Sequence, residues 1–171
     1  MHTTRQSNPF STPSSKLVTH CSVLKFAPAI ITAIIAFIVV DQAFALTATQ
    51  GATIVQIARS KIETAYKLPP DGFPKNTDCS LLTQFCYQQA GITIPRTAAQ
   101  QYGWCTKCSN QPGSLLFFWT DDTRPGVVTH VGINLGNGKM INANSKQGKV
   151  VEEQWQGNAY WQRRLVTSGT R

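Results

Sequence analysis

Residues 130–144 read HVGINLGNGKMINAN, a strand, a turn and a returning strand. Val131, Ile133 and Leu135 alternate with His130, Gly132 and Asn134, the period-two pattern of a strand that buries one face. Asn137-Gly138 is a strong hairpin signal, and Lys139 to Asn144 returns. Turn length fixes which side chains meet. A two-residue loop would pair Leu135 with Met140 and put His130 and Asn142 on opposite faces. A three-residue loop, Gly136-Asn137-Gly138, would pair Gly132 with Asn142 and make His130 and Asn142 diagonal neighbours on one face, roughly 7–8 Å apart. Gly138 suits the left-handed position of the longer loop, so the three-residue turn is expected.

Further strands are expected at Leu115 to Trp119, Val150 to Gln154 and Trp161 to Val166. Before Pro112 the period is helical. Ile54, Ile57, Ala58, Ile62 and Ala65 form one stripe across residues 50–66. Leu68 to Thr77 carries three prolines and a glycine and reads as loop. Asp78 is a candidate N-cap for a helix from Cys79 to about Ala90, which Gly91 ends. Residues 97–103 suit a short helix. Helices first and a strand meander after them predict an α+β fold, with N-terminal helices packed on a central antiparallel sheet.

The chain has 171 residues and a formal charge of +8. Its charged fraction of 14% is low against roughly 25% for soluble proteins, and with 42% apolar residues this excludes a disordered chain. No Gly-X-Y period, heptad run or longer repeat occurs, which excludes fibres and solenoids. The basic excess admits nucleic acid, a membrane surface or an acidic polymer as partner. No run of five Lys/Arg residues supports a nucleic-acid patch.

Part of the charge precedes a 15-residue uncharged segment, residues 26–40. That length is short for a bilayer span and right for the core of a secretory signal peptide. Lys16 and Lys25 lead into it, and Ala43-Phe44-Ala45 is a small-x-small cleavage site. Residues 1–45 therefore read as a signal peptide cut after Ala45, the rival being an uncleaved signal anchor. Residues 46–171 read as one domain. They keep a net charge of +6, because the leader takes Arg5, Lys16, Lys25 and Asp41 with it. Export implies an oxidising compartment, periplasmic or extracellular, with the membrane touched only through the leader.

Cys79 stands in the first turn of its helix, where backbone N–H groups favour a thiolate and are expected to lower its pKa. Locally, a nucleophile and half of a disulfide are equally open. His130 shifts the balance, because a thiol nucleophile needs a base and His130 is the one histidine after the leader. Asn142 on the return strand can accept from the imidazole and hold its tautomer, with Asn144 as the reserve choice. The backbone N–H of Cys79 is a candidate oxyanion donor.

Asp78-Cys79-Ser80, Pro95-Arg96-Thr97, the strand that begins Pro112-Gly113-Ser114, and His130-Val131-Gly132-Ile133 resemble the NlpC family of cell-wall cysteine peptidases, over roughly residues 50–166. The resemblance implies a papain-like fold in permuted order. It implies hydrolysis of amide bonds in peptidoglycan stem peptides, typically after γ-D-glutamate. It maps Cys79 to the nucleophile, His130 to the base and Asn142 to the third polar position. Tyr66, Asp78 and Ser80 then flank the substrate or oxyanion. This chain departs from the pattern at Leu81, where glycine is common, at Leu68-Pro69-Pro70 and at Ser114.

Cys86 reads as core. Cys105-x-x-Cys108 reads as a structural disulfide, either internal or through one of the two to Cys86. A zinc site would need two more ligands, so neither metal nor organic cofactor is expected. The expected partner is peptidoglycan, and a monomer is expected. Two other readings stay open: a cell-wall amidase or other acyl hydrolase on the same fold, and a non-enzymatic wall-binding or assembly module.

Overall fold

The computed structural model describes residues 46–105 and 110–169. The leader, its cleavage site, Cys21 and Cys108 lie outside the described residues. Helix α1 (Ala48–Arg59) starts at Thr47, where Thr47 and Gln50 cap each other reciprocally. It buries Gly51, Ile54 and Ala58 and stops at Ser60, short of the expected residue 66. The chain turns there into β1 (Ala65–Tyr66), where the helical stripe is expected to continue, and then β2 (Asn76–Thr77), at the end of the stretch that reads as loop.

Helix α2 (Cys79–Gln89) begins and ends close to expectation, with Asp78 as N-cap and Gly91 at φ +77° beyond its end. Helix α3 (Ala98–Trp104) carries a second reciprocal cap between Thr97 and Gln100. The buried Gln101 ties α3 to the start of α2. Its Nε2 donates to the carbonyls of Ser80 at 3.0 Å and Pro95 at 2.9 Å. Its Oε1 accepts from Thr83 Oγ1 at 2.8 Å.

The remaining elements are β3 (Leu115–Phe118), β4 (His130–Gly136), β5 (Lys139–Asn144), β6 (Lys149–Gln154), helix α4 (Ala159–Arg164) and β7 (Leu165–Gly169). Residues 161–166, expected as a strand, are mostly helix. Asn158 Oδ1 caps that turn by accepting from the N–H groups of Tyr160 at 3.0 Å and Trp161 at 3.4 Å. Trp161 and Arg164, three apart, are both buried, which one helical face allows and alternation along a strand does not.

The strands form one sheet in the order β2-β1-β6-β5-β4-β3-β7. Every pairing is antiparallel except β1 with β2 at the edge. The central register is the expected one, with Ile133 opposite Ile141 and Asn134 opposite Met140. The turn is not the expected one. Gly136 pairs with Lys139 around a two-residue turn, Asn137 and Gly138 both having positive φ. The offset comes instead from a bulge between Asn134 and Gly136, where Asn134 Oδ1 accepts from the Gly136 N–H at 3.0 Å.

One sheet face carries the main core. Leu115, Phe117, Val131, Ile133, Ile141, Ala143 and Val150 pack with Ile54 and Ala58 of α1 and Leu82, Cys86 and Tyr87 of α2. The other face carries a smaller cluster of Leu116, Phe118, Met140, Trp155 and Trp161. Among the described residues no helix is long and apolar enough to cross a membrane.

Helix α1 lies against the chain at Pro112 and Gly113 so closely that a Cβ at Gly51 would stand 2.6 Å from the Pro112 carbonyl oxygen. Gly103 on α3 has nothing within 4 Å of a Cβ position. Gly51→Ala is therefore expected to destabilise by about 1–3 kcal/mol through overpacking against backbone. Gly103→Ala is expected to be neutral or stabilising by up to about 1 kcal/mol through helix propensity. Urea midpoints of the two variants check this opposition of sign.

Candidate active site

The site begins at the cap of α2. Asp78 is 4% exposed, and its Oδ1 accepts from the Leu81 N–H at 2.7 Å and from Ser80 Oγ at 3.1 Å. Arg96 closes over it. Nη2 bonds Asp78 Oδ2 at 2.5 Å, and Nη1 donates to Asp78 Oδ1 at 3.1 Å and to Ser80 Oγ at 2.9 Å. Burial alone would raise the Asp78 carboxyl. Arg96, the Leu81 amide and Ser80 outweigh burial and hold the carboxyl below its ordinary value. The cap therefore fixes the first turn of the helix and carries a stable negative charge beside Cys79.

Cys79 is half-buried, and it lines a groove with Tyr66, Leu68, Pro70, Arg96, Arg124 and Val128. Protein surrounds the thiol itself, and burial pushes its pKa up to about 11. The backbone N–H groups of Val131, Ser80 and Cys79 favour the thiolate, while the Asp78 carboxylate opposes it. This corrects the expectation of a lowered pKa. Asp78 takes the Leu81 N–H at the helix start and sets a negative charge beside the sulfur, so the positive end of the helix does not ionise the thiol. The bond from the Val131 N–H places the sulfur against the backbone of β4, one residue along the chain from His130.

His130 is the first residue of β4 and is 8% exposed. Its Nε2 lies 3.0 Å from Oδ1 of Asn142, which is fully buried. Its ring stacks on Trp161 with centroids 5.4 Å apart and 23° between planes. Burial lowers the imidazole pKa to about 4, against the opposing pull of Asn142 and the Glu153 charge. Near neutral pH the site thus rests as a neutral thiol and a neutral imidazole.

Asn142 is the partner of His130 because of the central register. Asn144 serves elsewhere. Its Oδ1 accepts from the N–H groups of Lys146 at 2.9 Å and Gln147 at 3.1 Å, holding the next turn. Tyr66 lies in the Cys79 groove. Burial, then the charges of Cys79 and Asp78, raise its hydroxyl pKa, so it stays a donor. Ser80 and Asp78 keep their side chains on Arg96 and on each other. Cys86 is a free thiol in the core, raised by burial to about 12, so the reading of a bridge to Cys86 is set aside. The Cys105–Cys108 pairing lies outside the described residues. Among the described residues no group of three His, Cys, Asp or Glu could hold a metal.

Three residues escape sequence reasoning: Arg96, Trp161 and Glu153. Arg96 is evident there only as part of a motif. Glu153 Oε1 accepts from Asn142 Nδ2 at 2.7 Å and from Asn144 Nδ2 at 3.0 Å, and its Oε2 accepts from Trp161 Nε1 at 3.0 Å. Counting the register on from Asn142 opposite Val151 would have put Glu153 on the same face.

Comparison with known proteins agrees with this architecture. The NlpC/P60 family profile matches residues 64–170. The "Probable endopeptidase p60" of Listeria seeligeri is 44% identical over 93 residues, which cover 53% of this chain and 17% of that protein. The "Bifunctional muramidase/DL-endopeptidase CwlT" of Bacillus subtilis is 40% identical over 105 residues, 59% of this chain and 29% of that protein. The chain thus spans less than a third of these relatives. The solved structure of NlpC1 from Trichomonas vaginalis superposes with a TM-score of 0.62 at 28% identity, covering 74% of this chain and 45% of that one. The sheet with its helical layer is therefore a papain-like domain of the α+β class.

The lowered imidazole pKa gives a stability window. His130 titrates near 4 when folded and near its ordinary 6.5 when unfolded, so between these values only the unfolded chain takes up the proton. Stability is expected to be full above pH 6.5, to fall by up to roughly 3 kcal/mol on acidification to about 4, and to level off for this group below that. His130→Gln removes that slope. Asp78, whose carboxyl is lowered, adds its own loss only below its ordinary value of 3.8. Urea unfolding of both proteins between about pH 7 and 4 checks the sign and the window.

Proposed function

We propose that this chain, which belongs to the NlpC/P60 family, is a cysteine-type hydrolase that cuts amide bonds in peptidoglycan stem peptides, as a DL-endopeptidase after γ-D-glutamate. The observation that carries the reading is the buried His130–Asn142 pair at the strand start against which the Cys79 sulfur rests. The relatives named as endopeptidases support the bond type. Arg96 and Arg124 line the groove, each held by a carboxylate of this chain, Asp78 and Asp121.

The chemistry follows from the neutral resting pair. As the sulfur attacks the amide carbonyl, His130 takes the thiol proton, so no free thiolate need build up beforehand. The tetrahedral oxygen is met by the Cys79 backbone N–H and the Tyr66 hydroxyl. The imidazolium then gives its proton to the leaving amine. A water, deprotonated by the same ring, hydrolyses the thioester and frees the carboxylate and the thiol. Asn142 accepts from Nε2 throughout, which leaves Nδ1 as the basic nitrogen.

Export belongs to the same proposal. The apolar segment at residues 26–40 directs the chain across a membrane, the leader is cut after Ala45, and the domain acts at the wall. Material recovered outside the cytoplasm is expected to begin at Leu46 by N-terminal sequencing. An intact N-terminus held in the membrane fraction would replace cleavage with anchoring.

Digestion of purified peptidoglycan tests the activity. Wild-type protein is expected to release peptide fragments with a new γ-D-glutamyl carboxylate, identified by mass. Cys79→Ala is expected to lose about a thousandfold or more in rate. Identical fragments at equal rates from both proteins would remove Cys79 from the reaction. Cleavage confined to the sugar–peptide junction would make the protein an amidase. Peptidoglycan that is bound and left uncut would make it a binding module.

A further inference from the structure

The proposed mechanism needs the imidazole proton on Nε2, yet Asn142 alone does not secure it. An asparagine amide turned through 180° would present its NH2 group to the ring and hold the opposite tautomer. Whatever touches the far end of Asn142 therefore selects the state of His130.

We propose that Glu153 is a positioning residue that holds the Asn142 amide in one orientation and thereby keeps the His130 proton on Nε2 and the Nδ1 lone pair free. The inference rests on the reading of His130 as the base. A carboxylate can only accept. Glu153 Oε1 lies 2.7 Å from Asn142 Nδ2, so the NH2 end of that amide is committed to β6. Its Oδ1 then faces the ring at 3.0 Å, and the Nε2 that meets it must donate. The chain runs from the Glu153 acceptor through the Asn142 amide to the ring N–H. Glu153 also fixes the wall of the ring's site. Its Oε2 accepts from Trp161 Nε1 at 3.0 Å, and the Trp161 indole is the surface on which His130 stacks. Asn144 Nδ2, at 3.0 Å from Oε1, holds the carboxylate from a third direction.

Glutamine at position 153 would lift the constraint. Its amide offers both a donor and an acceptor, so Asn142 could turn over, present its NH2 to the ring and move the proton to Nδ1, where the ring cannot take the thiol proton. Aspartate keeps the acceptor-only character. The test uses the full chain, labelled with nitrogen-15, as wild type, Glu153→Gln and Glu153→Asp, with the His130 ring signals assigned by their loss in His130→Gln. Ring nitrogen shifts and couplings report the tautomer, and peptidoglycan digestion reports kcat and KM.

Wild type and Glu153→Asp are expected to hold the Nε2–H tautomer, and Glu153→Gln to gain an Nδ1–H population. The Glu153→Gln kcat should fall about a hundredfold with KM within about twofold, while Glu153→Asp keeps most of kcat. A wild-type ring protonated at Nδ1 overturns the proposal. So does a wild-type tautomer in Glu153→Gln, whatever its rate. Should Glu153→Gln fail to fold, the tautomers of wild type and Glu153→Asp decide, Nδ1–H in either counting against. Wild-type protein that cuts no peptidoglycan, with the tautomer still responding to Glu153→Gln, would uphold Glu153 and remove the proposed activity.

Discussion

The hydrogen bond from the Gly136 N–H to Asn134 Oδ1 is 3.0 Å long and lies well away from the cysteine, yet the site depends on it. It stabilises the bulge that shifts β4 by one residue against β5 between the turn and the centre of the hairpin. Without that shift, side chains on β4 would meet β5 partners of the other face. With it, Gly132 comes opposite Asn142, close enough that a Cβ there would stand 3.3 Å from the Asn142 Cβ. The absent side chain at 132 opens the diagonal along which the His130 ring reaches Asn142.

The second constraint is electrostatic. A helix start is usually an argument for a thiolate, and here it is used differently. Asp78 caps α2 and is itself held by Arg96, so a fixed negative charge stands next to Cys79. Burial acts in the same direction, and together they keep the thiol protonated, just as burial keeps His130 neutral. Separating charge between two such buried groups is costly. In the proposed mechanism that cost is offset when a carbonyl takes up the sulfur's electrons and the developing oxyanion meets its donors.

Much of this arrangement is legible in the sequence, because the signals are local. The Asp78 cap, the helix that follows it, the Asn-Gly turn and the alternation of β4 each depend on neighbours within a few residues. The expected register also holds, though through a bulge at Asn134 in place of the longer turn, since a one-residue offset can be made at either place. Some misses are local and others long-range. Trp161, Leu165 and Val166 suit a strand, and the Asn158 cap with paired burial of Trp161 and Arg164 makes a helix turn of most of residues 161–166. Strands β1 and β2 are two residues each, too short for any period to show. Glu153 looks like one more charge on an edge until β6 is laid beside β5, and Arg96 reaches Asp78 across 18 positions of chain.

The two faces of the sheet explain why the site lies at a strand end. Cys79 belongs to the helical layer, which packs on the Val131 and Ile133 face. His130, Asn142 and Glu153 project from the other face, toward Trp161 and Phe118. Side chains on opposite faces of a continuous sheet cannot meet through it, because backbone fills the space between them. They can meet where a strand begins, and His130 is the first residue of β4. The Cys79 sulfur rests against Val131 at that same end. One groove then opens on the cysteine side and another on the side of His130, Lys146 and Tyr160. Shifting the start of β4 by one residue would take the ring to the other face of the sheet.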